Sequence, residues 1–226
     1  MEKLNSYGDE LIETTGFHGA DIASQRMDDL DESALLHAIK VRSQAGVALD
    51  IGSGSGIQGL RFASLGIKSV LVDIIPAEQT VLKIRGLSEL LPLAYLQKDA
   101  NLIVHEDLPK EILFVYSQRF IHYLRYDRAV ELFLAVRSRM KVGAKLFLSA
   151  SGINTELADE YSALNQPISL RYGKLSEAMC KKHGIFEPVC LYSSQDIKQL
   201  SSEISMSCQI VYESKFGNIK AILVAT

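Results

Sequence analysis

The sequence predicts an α/β protein: an open, mostly parallel, seven-stranded sheet with an antiparallel last strand and helices on both faces. Three observations lead there. Short β-branched runs alternate with longer amphipathic stretches. Several of the runs are continuously apolar, as strands covered on both faces must be. The last two runs are joined by only Lys215-Phe-Gly-Asn218, too short for a crossover helix, so they form an antiparallel hairpin.

The expected strands are 47–51, 69–74, 93–97, 111–116, 145–150, 208–214 and 219–225, and the hairpin is expected to close an antiparallel edge. Helices are expected at 31–43, 57–65, 77–91, 127–141 and 194–202. In the fourth, Val130, Phe133, Leu134, Arg137 and Met140 recur at helical spacing, and Asp127 is placed to cap orphan amides. Gly143 punctuates the turn into the next strand. Residues 1–44 form an N-terminal helical cap, 45–150 the core, and 194–226 the final helix and hairpin. The stretch 151–193 has weak periodicity and exceeds an ordinary connection. Long excursions at a strand's carboxyl end often cover active sites, so it is expected to cover a substrate.

Composition narrows the function. The 226 residues, 47% apolar and 23% charged, suit one globular domain. The net charge of −3, with no long basic run, lacks the footprint of a nucleic-acid binder. Neither a secretory h-region nor a membrane-length apolar run is present, so a cytoplasmic protein off the membrane is expected. Cys180, Cys190 and Cys208 fit no disulfide framework. With His183 they fall short of a zinc set, and no metal is expected.

The most informative segment is Asp50-Ile-Gly-Ser-Gly-Ser-Gly56, between a strand and a helix. Glycine brings backbone amides close to a ligand, and a helix N-terminus favours a carboxylate or phosphate. Gly54, Gly56 and Gly59 also satisfy the dinucleotide pattern G-x-G-x-x-G. Register separates the two readings. In the dinucleotide fingerprint the first glycine directly follows the strand, which is Gly52, and the third would then fall on Ile57. Further along, Asp73 ends the next strand, where a carboxylate can accept both hydroxyls of a ribose.

An acid two residues before three alternate glycines resembles motif I of the class I S-adenosylmethionine-dependent methyltransferases, a Rossmann-like family. The resemblance spans about residues 45–150. It implies S-adenosylmethionine as cofactor, with Asp50, Gly52, Ser53, Gly54 and Gly56 around the methionyl end, Asp73 on the ribose and Ile74 on the adenine. In Gln97-Lys-Asp-Ala100, it implies Asp99 on the adenine amino group and the Ala100 amide on the ring. Ser117 and Gln118, after the fourth strand, are placed near the methyl end of the cofactor.

His122 and Arg119 in the same loop are the catalytic candidates, His122 because imidazole titrates near neutrality. Methyl transfer from a sulfonium is an in-line displacement in which alignment can suffice without a base. The loop Tyr116-Ser-Gln-Arg119 lacks the Pro-Pro-aromatic motif of amino-directed nucleic-acid methyltransferases. No cysteine lies near it for cytosine C5 chemistry, and the paired glutamates of protein arginine methyltransferases are missing. A small-molecule acceptor remains, for which Tyr7, Tyr161, Arg171 and Tyr172 are the candidate contacts, with Met179 and His183 beside them. Two other readings stay open: an NAD-dependent oxidoreductase, and a binding domain without catalysis. Oligomeric state is not readable from the chain.

Overall fold

The computed structural model describes residues 3–7 and 10–13 in backbone only, and residues 27–84 and 86–226. Strands β1 (Lys3–Tyr7) and β2 (Glu10–Glu13) pair antiparallel. The segment expected to be a helical cap therefore carries a hairpin ahead of its helix. That helix, α1 (Asp29–Val41), starts where Asp28 accepts the Leu30 and Asp31 amides, while Asp31 receives the Asp28 amide at 2.7 Å. This reciprocal capping satisfies orphan donors at both positions.

The core then runs β3 (Val47–Ile51), α2 (Ile57–Ser64), β4 (Ser69–Asp73), α3 (Leu87–Leu90), β5 (Leu93–Gln97), β6 (Ile112–Ser117), α4 (Tyr126–Arg137) and β7 (Met140–Ala150). Within the insertion lie β8 (Tyr172–Gly173), α5 (Glu177–His183) and β9 (Val189–Cys190). The chain ends with α6 (Ser194–Glu203), β10 (Met206–Glu213) and β11 (Ile219–Ala225).

Most expected elements are found within a few residues, and three differ for physical reasons. The helix expected over 77–91 breaks into two 3₁₀ turns and the short α3. Thr80 is extended and turns its hydroxyl onto the Leu82 amide and the Ala77 carbonyl, and Gly86 is left-handed at φ +79°. Both break the i to i−4 ladder. Helix α4 begins at Tyr126, so Asp127 lies in its first turn and does not cap it; the cap residue, Arg125, makes no side-chain bond. Gly143, at φ +86°, sits inside β7, in a bulge between the Met140 and Lys145 pairings with β6.

The main sheet has the order β10-β11-β7-β6-β3-β4-β5. From β7 to β5 all neighbours are parallel, and β11 is antiparallel to both β7 and β10. The last strand is antiparallel as expected, but it is not the edge. It slots inside the sheet and leaves β10 outermost, running with the parallel strands. The reason is legible in retrospect: Ile219–Ala225 is apolar enough to be buried on both faces, whereas Met206–Glu213 is largely exposed and bulged at Cys208 to Ile210.

Two cores flank the sheet. On one face, Phe114 and Phe147 pack against Phe62 of α2 and Leu30, Ala34 and Ala38 of α1, with Phe62 and Phe114 edge-to-face at 5.0 Å. On the other, Leu49, Ile51, Val115 and Leu148 meet Phe133 of α4 and Leu200 of α6. The insertion has its own apolar cluster, including Leu157, Leu175, Met179 and Val189, and packs against Tyr123 after β6. Among the described residues no helix is long and apolar enough to cross a membrane.

Candidate functional site

At the carboxyl ends of the parallel strands, β3 stops at Ile51, so Gly52 is the first residue past it, as the register argument requires. Gly52, Gly54 and Gly56 take φ of +70°, +52° and +84°, the left-handed region that side chains resist. The Gly52 and Ser53 amides both donate to Val72 O, at 2.9 and 3.2 Å. Gly56, the N-cap of α2, has no side chain of its own to offer the helix amides.

Two carboxylates hold this turn. Asp50 is buried, and its Oδ2 accepts the Gly59 amide at 3.1 Å. Asp73, half-buried at the tip of β4, accepts the Gly54 amide at 2.8 Å, and the Ile74 and Ile75 amides at 2.8 and 3.2 Å. Both acids therefore organise backbone around the glycines. Such preorganisation is what a cradle for a small ligand needs.

Further out, Asp99 is exposed and accepts the Asn101 amide at 2.8 Å, capping a 3₁₀ turn that starts with buried Ala100. Ile74, just past β4, is 42% exposed, and Leu102, at the end of the 3₁₀ turn that follows β5, is 65% exposed. Leu102 was invisible in the sequence because an exposed leucine in a loop carries no pattern.

At the end of β6, Ser117 is wholly buried. Ser53, Ser117 and Ser151 all carry buried hydroxyls without a hydrogen-bond partner among the described residues. Gln118 is tied back, its Nε2 donating to Asp28 Oδ2 at 2.9 Å. The same oxygen meets Lys220 Nζ at 2.6 Å, and Lys220 also bonds Asp29. Burial works against the Lys220 charge, but these partners outweigh it and raise its pKa. Beside them the Tyr116 hydroxyl donates to Asp31, whose carboxyl burial pushes upward while that bond opposes it. Nothing in sequence spacing foretold this knot, because Asp28, Tyr116 and Lys220 meet only through tertiary structure.

Arg119 has φ +51°, and its amide donates to Ser149 O at 3.0 Å and Oγ at 2.9 Å. Phe120 lies over the glycine turn: a Cβ on Gly52 would stand 2.2 Å from its ring. Gly52 is thus required by Phe120 as well as by its own φ. His122 is buried in a 3₁₀ turn, its ring centroid 4.1 Å from that of Tyr123.

The acceptor candidates separate. Tyr161 is buried, with its hydroxyl donating to Val189 O at 2.6 Å and to Arg171 O. Arg171 donates to Leu191 O at 2.9 Å and Asp196 Oδ2 at 2.6 Å. Their polar atoms are engaged inside the fold. Tyr172 is half-buried in β8, its hydroxyl donating to Tyr123 O at 3.4 Å, with the Arg125 guanidinium 6.0 Å over its ring. Its pKa is raised, mainly by burial. Met179 belongs to the insertion's apolar cluster. The Tyr7 side chain lies outside the described residues.

No protein-family model and no curated protein matches the sequence. Solved structures share its fold. An S-adenosylmethionine-dependent methyltransferase from Clostridium acetobutylicum superposes with a TM-score of 0.63 at 11% identity, over 90% of this chain and 94% of that one. Magnesium protoporphyrin IX methyltransferase from Synechocystis, solved with bound S-adenosylhomocysteine, gives 0.60 at 14% identity, over 90% and 83%. The 1,6-didemethyltoxoflavin-N1-methyltransferase of Burkholderia thailandensis, solved with that substrate and S-adenosylhomocysteine, gives 0.63 at 11%, over 91% and 81%. With the last strand inserted antiparallel beside β7, and a glycine turn after β3 flanked by acids, the chain has the Rossmann-like fold of the class I S-adenosylmethionine-dependent methyltransferases.

Proposed function

We propose that the protein is an S-adenosylmethionine-dependent methyltransferase that acts on a small-molecule acceptor by in-line transfer. The observation that carries this is the sequence of acids at three neighbouring positions: Asp50 and Asp73 holding one left-handed glycine turn, and Asp99 at the tip of the next strand. The residues fit the cofactor. Left-handed glycines bring the backbone close to a ligand, a helix N-terminus favours a carboxylate, and the buried Ser53 and Ser117 hydroxyls seek partners. Ile74 and Leu102 offer faces to an adenine, and Asp73 stands where a ribose would lie.

When bound, the cofactor supplies a methyl group activated on a sulfonium. The chain's part is positioning. Phe120 and the Asp28–Gln118 bond fix the loop after β6, and the packing of the insertion on Tyr123 supports a reading in which it covers the acceptor. Alignment of this kind can supply much of the acceleration without a proton-transfer residue. Buried His122 then serves the loop's shape, and Tyr172 is the acceptor contact favoured over Tyr161 and Arg171.

Titration calorimetry with S-adenosylmethionine, S-adenosylhomocysteine and NAD tests the reading. Binding of the first two is expected. NAD binding without them would overturn it.

A further inference from the structure

Arg119 is left over by the cofactor reading. It follows the last residue of β6 by two positions, at φ +51°. A non-glycine residue there is strained, and the strain persists only when its surroundings over-determine it. The two bonds from its amide to Ser149 O and Oγ do that. The strained backbone aims a half-buried guanidinium that makes no hydrogen bond or ion pair among the described residues.

Its electrostatic surroundings sharpen the point. In the insertion, Lys182 Nζ lies 2.5 Å from Glu156 Oε2, and His183 Nε2 lies 3.0 Å from Glu156 Oε1. His183 is held below its ordinary pKa first by burial, with Glu156 opposing and the Lys182 and Arg119 charges adding to the depression. Glu156 thus answers two basic side chains, and the Arg119 charge acts on one of them, His183. Glu156 is already bonded to Lys182 and His183, and the Arg119 guanidinium has no ion-pair partner among the described residues. A charge drawn partly out of water without a counter-ion is costly, and a bound anion removes that cost. The guanidinium fork matches carboxylate and phosphate oxygens two at a time.

We propose that Arg119 is the specificity residue of the acceptor site and binds an oxyanion, carboxylate or phosphate, carried by the methyl acceptor. This rests on the methyltransferase reading above. Arg119 belongs to the loop that reading places at the methyl end, and its charge reaches His183 of the insertion.

The test uses the whole protein, tritium-methyl-labelled S-adenosylmethionine, and a deproteinised cell extract split beforehand on strong anion-exchange resin. Labelled product is expected from the retained fraction. Arg119→Gly, which suits the positive φ, is expected to keep S-adenosylhomocysteine affinity in calorimetry yet lower the rate at limiting extract at least tenfold. Arg119→Lys, which keeps the charge and loses the fork, should recover part of it. Absence of label from the retained fraction, or a wild-type rate from Arg119→Gly, overturns the proposal. Calorimetry on the wild type keeps the two ideas apart: no S-adenosylhomocysteine binding overturns the methyltransferase reading itself, and the proposal with it.

Discussion

A Cβ placed on Gly59 would stand 1.8 Å from Leu71 Cδ2 and 3.4 Å from Asp50 Oδ2, the oxygen that accepts the Gly59 amide. Helix α2 therefore rests on β4 at glycine distance, and that closeness lets Asp50 reach the helix. The third glycine of the dinucleotide-like pattern is in this protein a packing residue.

Gly59→Ala is expected to destabilise the fold by about 1–3 kcal/mol through overpacking. Leu71 is fully buried and has little room to move. Leu71→Ala in the same chain should restore part of the loss, so a urea-denaturation double-mutant cycle should show favourable coupling. Additive losses would show that the two side chains are not in conflict.

Asp73→Asn is expected to weaken S-adenosylhomocysteine binding about 10- to 100-fold, the range for losing a charged hydrogen-bond acceptor worth roughly 1.5–3 kcal/mol. Because Asp73 also holds the Gly54 amide, thermal denaturation should accompany the calorimetry. Unchanged affinity in a folded variant would remove Asp73 from the ligand site.

His37 sets an acid limit on stability. Burial, with Lys145 and Lys40 nearby, lowers its pKa to about 4 from an ordinary 6.5, while its ring packs on Phe114 and Phe147 at 5.5 Å. Below the unfolded value the unfolded chain takes up the proton first, so stability is full above about pH 6.5 and falls as pH drops towards 4. With partial exposure discounted, the effect is about 1–3 kcal/mol. Denaturation of His37→Leu should show a shallower slope between pH 5 and 6.5. An identical slope would assign the acid sensitivity elsewhere.

Arg171 and Asp196 form an ion pair of 2.6 Å with both side chains 11% exposed. Arg171→Ala leaves Asp196 buried and unpaired, at a cost of about 3–5 kcal/mol. A lower melting temperature and faster proteolysis of the 151–193 segment are expected, with cofactor affinity kept. Intact stability together with lost turnover would return Arg171 to the acceptor site.

The pattern of residues along the chain was enough for the fold class, all seven sheet strands to within a few residues, the glycine turn and the acids at three strand ends. These are local features: β-branched runs, glycine spacing and strand-end acids act over a few residues, and their physics is written in neighbouring positions. Helix 77–91 misled because its apolar spacing concealed the local competition from Thr80 and Gly86. Tertiary structure alone decided that β11 lies inside the sheet, that Asp28, Gln118 and Lys220 meet, and that Arg171 is occupied by Asp196. It alone also brought Arg119 close enough to the 151–193 segment for its charge to act on His183. Such pairings join residues far apart along the chain, chosen by which faces must leave water together and which charges then need partners.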